Sequence, residues 1–322
     1  MINQEIVLEM VGKVRHKQPR IGGRKLYYLL EKDIKAQGID IGRDRLIDIL
    51  RDNDLLIKPK RSKKVTTTDS AHALLTYENH LSEQKADYAN QVWVADMTYV
   101  KIKGGFAYLF LITDLYSRKI VGYHLSKDMK AIQAVEALNK ALSLTQGKGP
   151  DIHHSDRGVQ YCSRAYVEIL REKQSLISMS QKGNPYHNAV AERVNGILKT
   201  EWIYPKNFKK LDFNTAQQEI KEIINTYNNE RPHSSLGNRT PQEVYEGRDK
   251  EEQAENNKKQ DKKQNKSKDQ AQEEQQKSKA NLDQRIDLQS SINKDDALQR
   301  NKQSDHKISN CSIYEDYTNS AQ

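Results

Sequence analysis

Apolar residues recur at helical spacing in the first part of this chain and at alternating spacing further on. In "RKLYYLLEKDIKA" (24–36), Leu26, Leu30 and Ile34 fall four residues apart, which puts them on one face of a helix. Gly22 and Gly23 precede that face and Gly38 stops it. "RDRLIDILRDN" (43–53) repeats the pattern, with Leu46, Ile49 and Leu50 inward and Arg43, Arg45 and Arg51 outward. A basic arm, "LLIKPKRSKK", follows. Two short amphipathic helices joined by a glycine-bearing turn predict a helix-turn-helix region over 1–64. Residues 65–88 are polar and weakly patterned, as expected of a linker.

From 89 the texture changes to β-rich runs, in "QVWVADMTYVKI", over 106–113 and over 118–124. A helix over 129–145, a strand at "DIHHSD", a helix over 163–173 and a strand at "SLISMS" come next. Helices over about 188–203 and 212–229 complete the pattern. Three strands followed by alternating helices and strands predict an α/β fold over 89–247, a mixed sheet with a hairpin-connected start. Residues 248–322 are rich in Lys, Gln, Asn, Glu and Asp, hold few apolar side chains and cannot bury enough surface to offset their ordering entropy, so a disordered polar tail is expected.

Charge sharpens this division. The net charge is +9, and residues 11–64 alone carry 16 basic and 7 acidic side chains, whereas the tail balances 15 against 15. A basic helical block on a near-neutral body points to a polyanion partner, most simply double-stranded DNA. Two distant cysteines, Cys162 and Cys311, argue against a disulfide scaffold and fit a reducing cytoplasm. No Cys/His spacing suits zinc, no apolar run is long enough for a membrane span, and no charged-then-apolar leader stands at the N-terminus.

Three acids carry candidate chemistry. Asp96 lies mid-strand between Ala95 and Met97, where a charge is costly unless paired or bound to a cation. Asp156 ends the strand before the Arg157-Gly158 turn, at the sheet edge where ligands bind. Glu192 lies on the helix "HNAVAERVNGILKTEW", with Asn195 and Lys199 along the same side and Val190, Val194, Ile197 and Leu198 on the buried stripe. Converging carboxylates repel, and Mg²⁺ or Mn²⁺ relieves that through hard oxygen ligands. Two such ions about 3.5–4 Å apart serve the attacking and leaving oxygens of a phosphodiester. Asp114 reads as a turn acid, and His153 and His154 as locally bonded residues.

Taken together, "WVADMTYV", "HSDRGVQY", "NAVAERVNGILKTE" and "YNNERPHSSLGNRTPQEVY" (227–245) resemble the DDE transposases of bacterial insertion sequences, specifically the OrfB-type protein of the IS-three group. Such proteins are similar to retroviral integrases in an RNase H-like core. The resemblance covers roughly 11–247, and 35 residues separate Asp156 from Glu192. It implies that Asp96, Asp156 and Glu192 form a triad holding two Mg²⁺ or Mn²⁺ ions. It implies DNA contacts for Lys199, Arg157, Tyr161, Asn195 and Arg231, and, in the helix-turn-helix region, for Arg43 and Arg45. The implied activity is metal-dependent cleavage and strand transfer at element ends and target, by a homo-multimer in the cytoplasm, associated with the nucleoid. An upstream OrfA-type protein, separate or fused, is an implied partner. Hydrolysis alone, or DNA binding by an inert core, are the rival readings. His187 departs from the family's usual acid before "NA", and the tail has no counterpart in the family.

Overall fold

The computed structural model describes residues 4–58, 75–81, 86–180 and 188–247. The tail, most of the expected linker and His187 lie outside the described residues. Met1–Asp249 clusters as one compact unit.

That unit begins with three helices where the sequence pattern named two: α1 (Gln4–Lys17), α2 (Gly23–Ala36) and α3 (Arg43–Asp52). The added helix, α1, packs Val7 and Val11 against Leu26, Leu30 and Ile34 of α2 and Leu46, Ile49 and Leu50 of α3. Gly38 ends α2 with φ +70°, a left-handed conformation that glycine adopts without Cβ strain. The three-helix module is docked on the rest of the unit through Trp202, whose indole N–H donates to the Lys17 carbonyl at 2.7 Å. Beside it Lys17 pairs with Glu230 at 3.0 Å, and Gln18 donates to the Glu230 carbonyl at 3.3 Å.

The remainder is built on five strands: β1 (Val92–Ile102), β2 (Gly105–Asp114), β3 (Ile120–Ser126), β4 (Ile152–Ser155) and β5 (Leu176–Met179). Their order in the sheet is β3-β2-β1-β4-β5. The first three pair antiparallel, and β4 and β5 run parallel to β1. Strand alternation sends Trp93, Ala95, Phe110 and Ile112 to one face, under α4 (Ala131–Leu144) and α5 (Arg164–Glu172). Leu109, Leu111 and Val100 go to the other, under α6 (Ala189–Leu198) and α7 (Phe213–Asn229). This is the mixed, helix-flanked RNase H-like sheet that the sequence predicts. Gly122 lets α4 approach β3, because a Cβ there would lie 2.3 Å from the Ala137 carbonyl oxygen.

Strand and helix limits match the sequence pattern within a few residues, with three additions. Residues Lys199–Ile203 extend α6 as a π-helical turn, which turns Trp202 and Ile203 into the core. A short α8 (Pro241–Tyr245) follows a capping box between Thr240 and Glu243. Residues 75–81, expected to be linker, lie along β5, with His80 N–H donating to Ser178 Oγ at 2.8 Å and Met179 N–H to the Glu78 carbonyl at 3.2 Å.

Asp114 is buried as a turn anchor, accepting from Asn90 N–H at 2.7 Å and from the Ser117 N–H and hydroxyl at 2.8 and 2.6 Å. His153 and His154 bond locally, the first to the Tyr166 hydroxyl at 2.9 Å, the second to Ser178 and Ser180 at 2.8 and 3.2 Å. Burial, reinforced by the neighbouring His154, pushes His153 down to about 3. The unfolded chain therefore takes up a proton below an ordinary histidine pKa of about 6.5 that the folded chain refuses. Stability from His153 is complete above that value and is lost as pH falls toward 3. Lowering the pH from neutral to 5 is expected to cost roughly 2 kcal/mol at this residue. Thermal unfolding of His153→Gln across that range is expected to show a shallower pH slope than the wild type.

Candidate active site

The two aspartates are brought together by strand register. Ala95 on β1 pairs with Ser155 on β4 as the last rung of a parallel ladder, so Asp96 and Asp156 are the next residues along each strand. Adjacent parallel strands at matched register present side chains on the same face. For these residues that is the face carrying Val92, Val94 and Ile152, which packs toward Ala191 of α6. Beyond this rung the chains part. β1 continues beside β2, with Asp96 opposite Leu111, while β4 stops and turns.

The turn is held by Asp156 itself, whose Oδ1 accepts from Gly158 N–H at 3.0 Å. A Cβ on Gly158 would sit 3.0 Å from that same oxygen, so glycine lets the backbone come up to the carboxylate. Asp96 Oδ1 accepts from Met97 N–H at 2.9 Å, and its Oδ2 accepts from Asn195 Nδ2 at 2.8 Å. Asn188 pins the start of α6 to the same place, donating from Nδ2 to the Ala95 carbonyl at 3.1 Å. Burial, and then the charge of Asp156, push the Asp96 carboxyl up to about 7, against the Asn195 and Met97 hydrogen bonds that lower it. Burial lowers Lys199, at the end of α6, below the ordinary lysine range, and the nearby Asp96 charge partly restores it.

Glu192 lies one turn before Asn195 on α6, and its charge reaches Asp96. It is exposed, and among the described residues no three His, Cys, Asp or Glu side chains form a group that could hold a metal ion. The structure therefore assembles the two aspartates and leaves the glutamate beside them.

Several expected DNA contacts have other partners. Asn195 is buried and bonded to Asp96, so it orients a carboxylate where the resemblance implied a DNA contact. Tyr161 is buried under the sheet against Tyr166, with its phenol raised by burial and then by Asp156 and Asp96. Arg231 is 1% exposed and grips Glu201 through Nε and Nη2 at 2.7 and 2.6 Å. That fork locks the segment after α7 onto the π-helical turn. Arg157 is half-buried and donates from Nε to the Ser180 carbonyl at 2.9 Å. Arg43 and Arg45 are exposed on α3, Arg43 paired with Asp44 at 2.9 Å. Sequence reasoning missed Asn188 and Glu201. An amide at a helix start reads as a cap, and a glutamate before a buried tryptophan carries no mark of its arginine partner.

Residues 86–185 match the integrase core domain family, and residues 173–241 match a second family of the same description. The transposase for element IS904 of Lactococcus lactis subsp. lactis is 33% identical over 244 residues, covering 75% of this chain and 94% of that protein. This chain belongs to the insertion-sequence transposases. It is also similar to the uncharacterized 31 kDa protein of insertion element IS600 of Shigella sonnei, 39% identical over 73% of this chain and 85% of that one. InsF of IS3A from Escherichia coli K12 is 34% identical over 66% and 74%. Among solved structures, the HTLV-2 integrase catalytic core in complex with magnesium is 20% identical, with a TM-score of 0.40, over 49% of this chain and 98% of that one.

The donor set of this transposase fits a hard divalent cation. Two carboxylates stand on neighbouring strands just past the last shared rung, and Asp96 is raised by burial and by repulsion from Asp156, the conflict that a cation relieves. Removing one of the two charges should relieve it as well. Asp96→Asn is expected to raise the melting temperature by a few degrees in the presence of chelator, measured by thermal unfolding at neutral pH.

Proposed function

We propose that this transposase cuts DNA at the ends of its element and joins the freed 3′-hydroxyls to a target phosphodiester. The observation that carries the reading is the in-register pair Asp96 and Asp156 under α6. In this reading both aspartates, with Glu192 as a third ligand from the adjacent turn of α6, hold Mg²⁺ or Mn²⁺, two ions in all. Bound there, the ions supply charge stabilisation to the attacking and leaving oxygens.

The chain's own residues do the positioning. Asn195 fixes the Asp96 carboxylate, Gly158 N–H fixes Asp156, and Lys199 offers a cation beside them for a DNA phosphate. Arg157, at the turn after Asp156, is a second cation next to the acids. Residues 1–64 serve as the DNA-recognition region, with Arg43 and Arg45 of α3 toward the groove, and 89–247 as the catalytic core. Two element ends must be held together, so the working species is a homo-multimer on DNA, associated with the nucleoid, and an OrfA-type partner supplies further end recognition. No described helix is long and apolar enough to cross a membrane.

Incubating the full chain with a pre-cut element end, target DNA and Mn²⁺ distinguishes the readings. Joined products are expected, with Asp156→Asn and Glu192→Gln each reducing them by at least about 10³-fold. Nicking without joining would favour a purely hydrolytic nuclease. Unchanged joining by Asp156→Asn would sink the catalytic assignment.

A further inference from the structure

The flank of α6 turned away from Glu192, Asn195 and Lys199 borders a cavity of about 390 Å³. It is lined by Lys25 of α2, Arg118 of the β2–β3 turn, Arg193 of α6, and Arg231, His233 and Ser235 from the segment after α7. Four of these side chains are cationic. Arg231 is neutralised by its fork to Glu201. Asp114 attracts Arg118 from a distance, but its oxygens already accept from Asn90 and Ser117. Burial, then repulsion from Arg231 and, more weakly, Arg193, push Lys25 down to about 8 despite the Glu201 charge.

Two buried nitrogens in this lining have no hydrogen-bond partner, Arg118 Nη1 and His233 Nε2. His233 Nδ1 lies 3.0 Å from Ser235 Oγ, and in the tautomer whose Nδ1 accepts from that hydroxyl, Nε2 carries the ring proton. An unpartnered guanidinium N–H in a buried cationic setting is costly, and an oxyanion is the partner that setting lacks. Arg118 holds φ +64°, a left-handed conformation that non-glycine residues seldom adopt.

We propose that this cavity is a phosphate site, in which a backbone phosphate of DNA accepts from Arg118 Nη1 and His233 Nε2 and is neutralised by Lys25 and Arg193. The source of the phosphate rests on the DNA-processing reading above; the anion site itself does not. Lys25 comes from the three-helix module and the other ligands from the sheet domain, so the occupied site fastens the recognition helices to the core while DNA is engaged.

The test uses the full chain with Lys25→Gln, half-buried on α2, and Arg193→Gln, exposed on α6, both outside the catalytic set. In the first arm, inorganic phosphate is compared with chloride at equal ionic strength by thermal unfolding. The wild type is expected to melt several degrees higher in phosphate, and both variants to lose that shift. In the second arm, duplex binding is followed against salt concentration. Each variant is expected to weaken binding by about tenfold and to lower the log–log salt slope by about one. Loss in both arms supports the proposal, and loss in the DNA arm alone overturns the cavity as the site of that contact. Loss in the phosphate arm alone overturns DNA as the source. Variants that match the wild type in both arms overturn the site. A wild type that binds no DNA defeats the functional reading, and the phosphate arm still decides the cavity.

Discussion

Two carboxylates at matched register on adjacent parallel strands repel each other, and much of the surrounding structure keeps them from escaping. The Ala95–Ser155 rung fixes where the strands end together, so neither acid can slide away without breaking the β1–β4 ladder. α6 then closes the face on which they lie, with Asn188 bonded to the Ala95 carbonyl and Asn195 to the Asp96 carboxylate. The consequence is a carboxyl raised to about 7 by burial and by Asp156, a state the fold tolerates because packing elsewhere holds it.

That packing comes from both faces of the sheet. Trp93, Phe110 and Ile112 anchor one layer, while Leu109, Leu111 and Trp202 anchor the other. Trp202 also reaches the three-helix module through its indole N–H, and the Arg231–Glu201 fork ties the end of the core to the same π-helical turn. The turn after α6 is therefore a junction. It joins the helix that orients Asp96, the segment that lines the cationic cavity, and the module that carries the basic helices.

The sheet was legible because β-branched and aromatic apolar runs stand apart from the helical spacing that separates them, and, with helices on both faces, β2, β3 and β4 are buried almost without interruption. Asp96 and Asp156 were legible as well, since an acid in mid-strand and an acid at a strand end each break the local pattern. α1 was missed although Val7 and Val11 share a helical face, because its remaining apolar residues are spread around the helix and its termini lack strong signals. The roles of Asn195, Tyr161 and Arg231 were not legible. Each lies in a motif that resembles DNA-contacting segments, yet each is consumed by a partner or by burial that only the tertiary fold supplies. Register, not motif, decides which polar residue faces a neighbour and which faces solvent.

Calorimetric titration of the full chain with Mn²⁺ tests the central claim most directly. The account predicts saturable binding by the wild type, weakened at least about tenfold by either Asp96→Asn or Asp156→Asn and unaffected by Arg193→Gln. Absence of saturable binding, or equal affinity in both aspartate variants and the wild type, would contradict it.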